Sequence, residues 1–457
     1  MDVHASPAER PGVHVCLGSL QVRFRRPEGA AALERSTTGL LTALPNKHCD
    51  TLAQAVPGPS AQRLQECLTH MPGDEEDLNR QRVQKMRTAA TLGDGVLVLD
   101  ATGVAKQGKT SVGVARQYAG TLGQVGHGQL AVTCGDTEPQ ATWPVAVRLY
   151  LPRPWAENPE PRRQARVPAA ATVQTTPALA LALLDQARAW GVPHRGVVAD
   201  ADDGDHPNFV AGLQARRARS VVGVRADFRG SGGRAAARPV QRADQRLQAV
   251  PRWPWRPIRW RHGTQGGRRQ KFVAVRGWRM AADGQRHVGG WLGERAPRGQ
   301  PEERKDHGST LPASATVEEL AGYAHRRFAV APLQEEATGA VGWDQDQGRL
   351  WPGFHRHAVT VRLASSVLGW LELRQRRQEQ RRGRPRDPFS PSAGSASALT
   401  AGHPSRGGPL AAPPSRAVVD DNGAVHGTLL TEVLTKQSEV TQCASSAPEL
   451  RVPSIGR

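Results

Sequence analysis

Two aspartates, Asp100 and Asp200, are candidates for metal-dependent chemistry, because each is a carboxylate at the end of a predicted buried strand. They follow the apolar runs of GVLVLD and GVVAD, which are typical of buried strands. Functional sites collect at strand ends in α/β sheets, and carboxylate oxygens suit Mg²⁺ or Mn²⁺. A pair of such ions serves phosphodiester chemistry, because one activates the attacking oxygen and the other steadies the leaving oxygen. The alternative is that each aspartate only ends a strand or begins a turn, and the spacing leaves both interpretations open.

The segments around these aspartates predict the elements that would position them. Strand patterns in TSVGVARQYAG, QLAVTC and WPVAVRLYLP follow Asp100. A helix is predicted from an N-cap at Thr176 with Pro177 at its first position, ending at Gly191 directly before GVVAD. NFVAGLQARRA predicts a further helix and SVVGV a further strand. This order predicts an α/β domain with a mixed sheet.

Composition divides the rest of the chain into regions of different character. Leucine periodicity with interspersed basic residues predicts helices before Asp100, one of them starting at Ser60. An Arg-, Gly- and Trp-rich stretch predicts a β-rich insertion, after which Thr316 has capping-box spacing. The predicted boundaries are 1–16 for a disordered N-terminus, 17–92 for the helical region, 93–224 and 316–373 for the α/β domain, 225–315 for the insertion and 374–457 for a disordered, low-complexity basic tail.

The overall composition favours a polyanionic partner. Lys and Arg number 61 against 42 Asp and Glu, which gives 457 residues a net charge of +19. Nucleic acid is the favoured partner, and the bias of a GC-rich gene is the alternative explanation. No membrane span or signal-peptide stretch is present, which predicts a cytoplasmic protein. The five cysteines form no CxxC pair. The sequence has no GxxxxGK[ST] phosphate loop, so no nucleotide cofactor is predicted.

An ordered set of motifs resembles the DDE transposases of bacterial insertion sequences, most closely the seven-hundred-and-one group. The motifs are LLTALPNKHCDTLA, VLVLDATGVAKQGKTSVGVARQYAGTLGQ, RLYLPRPWAENPEPRRQARVP, GVVADADDGDHPNFVAGL, WRHGTQG and RLWPGFHRH. They cover roughly residues 20–370 in the family's order. The resemblance implies a ribonuclease-H-like catalytic domain, an all-α N-terminal region that binds DNA and a β-rich insertion before the last catalytic helix.

Carried onto this sequence, the resemblance implies that Asp100 and Asp200 are the first two catalytic acids. Both are expected to bind divalent metal, with two Mg²⁺ or Mn²⁺ ions in the site. Lys106 and Lys109 are candidates for contacts with DNA phosphate, although surface lysines are commonly only solvated. Asp202 and Asp203 replace a Gly-Tyr pair common in the family. These extra acids are expected either to lie near the metals or to crowd the site with unwanted negative charge.

The third acid departs from the family pattern. Arg327 is expected to contact a phosphate, but the position of the third acid, a glutamate in the family, is occupied by Ala331. Glu335 lies one helical turn further on, and a turn rises about 5.4 Å, so its use as the third acid needs a shifted helix. Pro332 is the residue that would permit such a shift. The other expectation is that the site has lost its third acid.

The function implied by the resemblance is DNA transposition. Water first cleaves DNA at the terminal inverted repeats of an element, and the freed 3′-hydroxyl then attacks target DNA. The expected partner is double-stranded DNA, bound by a homodimer on paired ends at the nucleoid in the bacterial cytoplasm. The alternatives are an inactive remnant that only binds DNA, a metal-dependent nuclease unrelated to transposition, and a product that barely folds.

Overall fold

A computed structural model describes residues 27–70, 75–90, 93–119, 124–139, 141–225, 227–232, 240–251, 255–261, 268–280, 286–295, 304–312 and 314–381. The predicted disorder of residues 1–16 and of the tail beyond Arg381 lies outside these residues. The described helices are α1 (Pro27–Leu40), α2 (Cys49–Ala55), α3 (Ala61–His70), α4 (Glu75–Ala90), α5 (Arg153–Glu157), α6 (Pro159–Gln164), α7 (Thr176–Ala189), α8 (Ala201–Gly204), α9 (Pro207–Ala215), α10 (Ala243–Gln248), α11 (Val317–Gly339) and α12 (Trp351–Arg381).

A mixed sheet forms the centre of the α/β part. Its strands are β1 (Val96–Ala105), β2 (Ala115–Ala119), β3 (Gln124–Thr137), β4 (Thr142–Leu149), β5 (Gly196–Ala199) and β6 (Ser220–Val224). Their order is β2-β3-β1-β5-β6, with β4 also paired to β3. β1 is antiparallel to β3 and parallel to β5, which is parallel to β6. This arrangement confirms the predicted ribonuclease-H-like α/β fold class.

The apolar runs of β1 and β5 are continuous because helices cover both faces of the sheet. Leu97 and Leu99 point to one face and belong to a core that includes residues of α7 and α9. Val96 and Val98 point to the other face and pack with residues of α11. The caps of these helices largely follow the sequence. Thr316 Oγ1 accepts from the Glu319 backbone N–H at 3.1 Å.

The cap of α7 is one residue earlier than predicted. Thr175, not Thr176, is the N-cap, and its Oγ1 accepts from the Ala178 backbone N–H at 3.3 Å. Pro177 is therefore the second helical residue, where its missing N–H still costs no intrahelical hydrogen bond. Gly191 follows the end of the helix with φ of +67°, as its predicted role as the stop requires.

The insertion extends the same sheet. Its strands are β7 (Arg229–Gly232), β8 (Val240–Arg242), β9 (Arg256–Arg261), β10 (Arg268–Met280), β11 (Arg286–Arg295) and β12 (Arg304–Ser309). β12 pairs antiparallel with β6, and the order continues through β11 and β10 to β7 and β8. Trp255 is buried with Leu247 and Val273 in a small core. The β-rich character predicted for this segment is confirmed.

The N-terminal helices share a hydrophobic core with the α/β part. Leu33 of α1 and Leu64 of α3 lie in one buried cluster with Val104 of β1 and Leu363 of α12. The start of α3 follows the sequence, because Ser60 Oγ accepts from the backbone N–H of the third helical residue at 3.4 Å. Helix α12 continues past the predicted start of the tail. In the described ranges no helix is long and apolar enough to cross a membrane.

Candidate active site

The register of β1 and β5 brings Asp100 and Asp200 to the same place. Their parallel pairing ends with Leu99 opposite Ala199, so each aspartate directly follows the last paired residue of its strand. β1 does not end at Asp100, as its sequence predicts, but continues to Ala105 in antiparallel pairing with β3. The two aspartates therefore lie where the parallel pair separates, which is the usual location of a site in such a sheet.

Asp200 is held by the start of the short helix α8. Its Oδ1 accepts from the backbone N–H groups of Asp202 and Asp203 at 3.0 and 3.1 Å. Its Oδ2 lies 3.8 Å from Nη1 of Arg327, whose side chain is 37% exposed. One carboxylate oxygen is thus fixed by the backbone, and the other faces a cation.

The surroundings of Asp100 perturb its pKa. Its Oδ1 accepts from the Ala101 backbone N–H at 3.1 Å. Burial raises the pKa of Asp100 to about 6, Arg327 opposes this rise, and Asp200 adds to it. The nearby Gln334 amide also lowers the pKa of Asp100 and donates to Thr133 Oγ1 at 3.3 Å. The aspartate pair thus carries more negative charge than the single arginine neutralises, and a bound cation would stabilise it.

A third carboxylate, Asp203, lies close to the pair. Its residue is 5% exposed, and burial raises the pKa of Asp203 to about 7, with further contributions from Asp200 and Asp100. The side chain of Asp202, in contrast, is 78% exposed and lies 3.6 Å from Arg225. Of the two extra acids in the sequence, Asp203 is the one that adds charge to the buried site.

Helix α11 supplies the residues opposite the acids. It is continuous through Pro332 from Val317 to Gly339, so its backbone shows no break at the proline. At about 100° per residue, position 331 shares one face with Arg327 and Gln334, whereas position 335 is rotated about 80° from position 327. The side chains of Ala331 and Glu335 are outside the described part, and Glu335 as third acid stays a prediction.

Lys106 and Lys109 have different surroundings in the loop after β1. Lys106 Nζ donates to the backbone carbonyl of Asp346 and lies 3.9 Å from its Oδ2, with both side chains less than a tenth exposed. Burial lowers the pKa of Lys106, and Asp346 opposes this effect. Lys109 is exposed. Contacts of either lysine with phosphate stay predictions, and Lys106 would have to leave its ion pair to make one.

The donor chemistry of Asp100 and Asp200 fits one divalent cation. Mg²⁺ is usually bound by one or two carboxylates together with water and substrate phosphate, and Asp200 Oδ2 has no backbone donor in the described residues. Among the described side chains, which do not include Glu335, no three His, Cys, Asp or Glu residues are grouped as a metal site. The described residues supply ligands for one ion and not for the expected second.

Comparisons with known proteins show the family of the chain. The sequence model of the DDE superfamily endonuclease family matches residues 20–275, a range that contains both aspartates. A protein of Microchaete diplosiphon named "Probable transposase for insertion sequence element IS701" is 27% identical over 190 residues. The match covers 41% of this chain and 47% of that protein, so the chain spans about half the length of this relative.

Proposed function

The chain belongs to the DDE superfamily of endonucleases, and from that premise we propose that it is a transposase that cuts and joins DNA at the ends of an insertion sequence. The observation that carries this proposal is the β1–β5 register, which places Asp100 and Asp200 together beside Arg327. The resemblance to a transposase over 190 residues supports transposition rather than general DNA degradation.

In this proposal Asp100 and Asp200 hold Mg²⁺ or Mn²⁺ through carboxylate oxygens. When bound, the metal supplies a Lewis acid that activates the attacking oxygen and neutralises charge on the leaving oxygen. Water attacks the phosphodiester at the element end and leaves a 3′-hydroxyl, which then attacks a phosphodiester of the target. Arg327 holds the Asp200 carboxylate and is exposed enough to contact a DNA phosphate as well.

The partner in this proposal is double-stranded DNA with terminal inverted repeats. The net charge of +19 supports a polyanionic partner, and the helices between residues 27 and 90 are the proposed DNA-binding region. Joining two ends at one target requires that both be held together, so we infer a homodimer on paired ends, acting at the bacterial nucleoid.

A second candidate is a remnant that binds the repeats without cutting them. Ala331 occupies the position of the family's third acid, and α11 is unbroken at Pro332. A continuous helix argues against the shift by one full turn that Glu335 would need to take the place of the third acid. These two observations together support an enzyme that retains its fold and its first two acids but has lost a metal ligand.

Cleavage of a labelled duplex that carries the repeat flanking the gene separates the candidates. The assay contains Mg²⁺ or Mn²⁺ and compares the unmodified chain with Asp100→Asn, Glu335→Gln and Ala331→Glu. An active transposase cuts at the repeat end and loses cutting in Asp100→Asn, and a loss in Glu335→Gln identifies the third acid. A remnant binds the repeat, and Ala331→Glu restores cutting. If the chain neither binds nor cuts the repeat, both candidates are overturned.

A further inference from the structure

Arg362 of α12 carries a buried positive charge that no anion among the described residues balances. The residue is 6% exposed, and within the described part of the chain no hydrogen bond or ion pair is formed by its guanidinium. Its guanidinium lies over the Trp343 ring, with Cζ 5.9 Å from the ring centroid, and Arg362 and Trp343 both line a small cavity. Burial lowers the pKa of Arg362, and the charges of Arg82 and Arg148 lower it further.

The neighbouring Arg82 is also buried, but each nitrogen of its guanidinium donates a hydrogen bond. Its Nε and Nη2 donate to Asn79 Oδ1 at 2.9 and 2.7 Å, and Nη1 donates to Ser366 Oγ at 2.7 Å. Nη2 also donates to the Val145 carbonyl at 2.8 Å. Arg82 is therefore satisfied by hydrogen bonds, as buried polar groups generally are, whereas Arg362 has no such bond to any residue that the structure describes.

Arg362 lines a cleft of about 200 Å³ between α4, β4 and α12. A single water needs about 10–15 Å³ of such space, so the cleft admits a larger group. Arg148, with a side chain one third exposed, and the buried His355 also line it. His355 Nδ1 donates to the Trp351 carbonyl at 2.9 Å.

Charge in the cleft changes with depth. Arg362 lies at the buried end, while Glu75 and the exposed Glu76 lie at the mouth. Glu76 Oε2 accepts from Arg148 Nη2 at 3.1 Å, so part of the negative charge at the mouth is already neutralised. Burial lowers the pKa of His355 to about 4, so this side chain is neutral at pH 7 and does not compensate the acids.

We propose that this cleft binds a small molecule that carries a phosphate group, with Arg362 as its principal partner and Arg148 as its second. A buried charge without a partner is costly, and a guanidinium matches the oxygens of a phosphate in a two-pronged geometry. The glutamates at the mouth repel an extended polyanion such as a DNA strand, which favours a small ligand. Trp190 and Trp351 also line the cleft and give it an aromatic wall beside the cations.

The test is the thermal unfolding midpoint of the full chain in increasing inorganic phosphate, against NaCl of equal ionic strength. Phosphate should raise the midpoint in a saturable way beyond the effect of NaCl. Arg362→Met should weaken the affinity about tenfold or more, because a charged hydrogen-bonding partner is lost. Arg362→Lys should retain part of the response, and Glu76→Gln should strengthen it. Deoxyadenosine monophosphate and deoxyadenosine distinguish a phosphate on a nucleoside from free phosphate.

Three outcomes would overturn the proposal. These are no response beyond that of NaCl, an equal response in Arg362→Met, or an equal response to the nucleoside and its monophosphate. Arg148→Met, at a partly exposed position, provides the same comparison if Arg362→Met does not fold. The proposal is independent of DNA cleavage, since Asp100 and Asp200 do not line this cleft.

Discussion

The strand ends at Asp100 and Asp200, here called the edge, and the buried end of the cleft at Arg362 both hold charge of one sign in excess. At the edge, Arg327 neutralises part of the negative charge. In the cleft, burial and the charges of Arg82 and Arg148 lower the pKa of Arg362, and Cys134 opposes this effect. The edge can lower its charge by taking up a proton, because the pKa values of Asp100 and Asp203 are raised to about 6 and 7. A guanidinium stays charged at neutral pH, so the cleft depends more strongly on a bound ion.

The largest effect that this comparison predicts is the loss of cutting when an acid of the edge is removed. Asp200→Asn should lower repeat cleavage at least about 100-fold, because even partners of metal ligands contribute 10–100-fold. Asp202→Asn is the matched control, since its exposed side chain is outside the site. The measurement is single-turnover cleavage in saturating Mg²⁺ or Mn²⁺. Equal losses in both variants would mean that the edge is not a metal site.

The second prediction contrasts the two buried arginines by stability. Arg362→Met should raise the free energy of unfolding without added anion by about 1–3 kcal/mol, because an uncompensated buried charge is removed. Arg82→Met should lower it by a similar amount, because Asn79 and Ser366 lose their donor. Urea unfolding at low ionic strength measures both. Destabilisation in both variants would show that Arg362 is satisfied in the free protein, and the contrast would fail.

The fold could largely be predicted because its signals are local. Continuous apolar runs specify β5 and β6, and Thr316 and Gly191 mark helix ends through their own hydrogen bonds or backbone angles. The error at β1 has a physical cause. Burial decreases at Asp100, which ends the apolar pattern, but hydrogen bonding to β3 continues to Ala105. A hydrophobicity pattern detects burial and does not detect strand pairing.

The site could be predicted only in part. Asp100 and Asp200 could be predicted from the sequence, because acids at strand ends are a recognised pattern and the motifs around them resemble a family. Gln334 was not predicted, because a single glutamine is not a signal for a catalytic or metal site. Its spacing of seven residues from Arg327 nevertheless places both on one helical face. Lys106 was a candidate from the sequence, but its ion pair with Asp346 joins residues 240 positions apart. No local pattern contains such a contact.

The third prediction concerns protons at the edge. Asp100 in the folded protein has a pKa of about 6 against an ordinary value of 3.8, so its contribution to stability is greatest below pH 4 and falls as the pH rises through 6. Metal binding needs the carboxylate. Cleavage in limiting Mg²⁺ should therefore fall about tenfold per pH unit below pH 6.

Arg327→Met tests the cause of that pH dependence. Arg327 lowers the pKa of Asp100, so its removal should move the midpoint of the pH profile upward. Arg225→Met is the control, because Arg225 pairs with Asp202 and Asp205 instead. A profile with a midpoint near 4, or one that moves downward in Arg327→Met, would contradict the arrangement of charges at the edge.

The smallest expected effect is an increase in metal affinity from a change that makes the edge more acidic. Gln334→Glu replaces an amide that lowers the pKa of Asp100 with a carboxylate of the same shape. Without metal, the added charge should lower stability, because like charges repel in a buried site. With Mn²⁺, the same carboxylate can act as a further ligand, and titration calorimetry should show several-fold tighter binding.

Gln334→Leu removes the amide without adding charge and should not tighten binding. Tighter binding in both variants would mean that the amide hinders the metal, whereas no change in either would place Gln334 outside the metal's reach. Tightening in Gln334→Glu alone would show that the edge lacks a carboxylate on α11, which is the ligand that Ala331 does not provide.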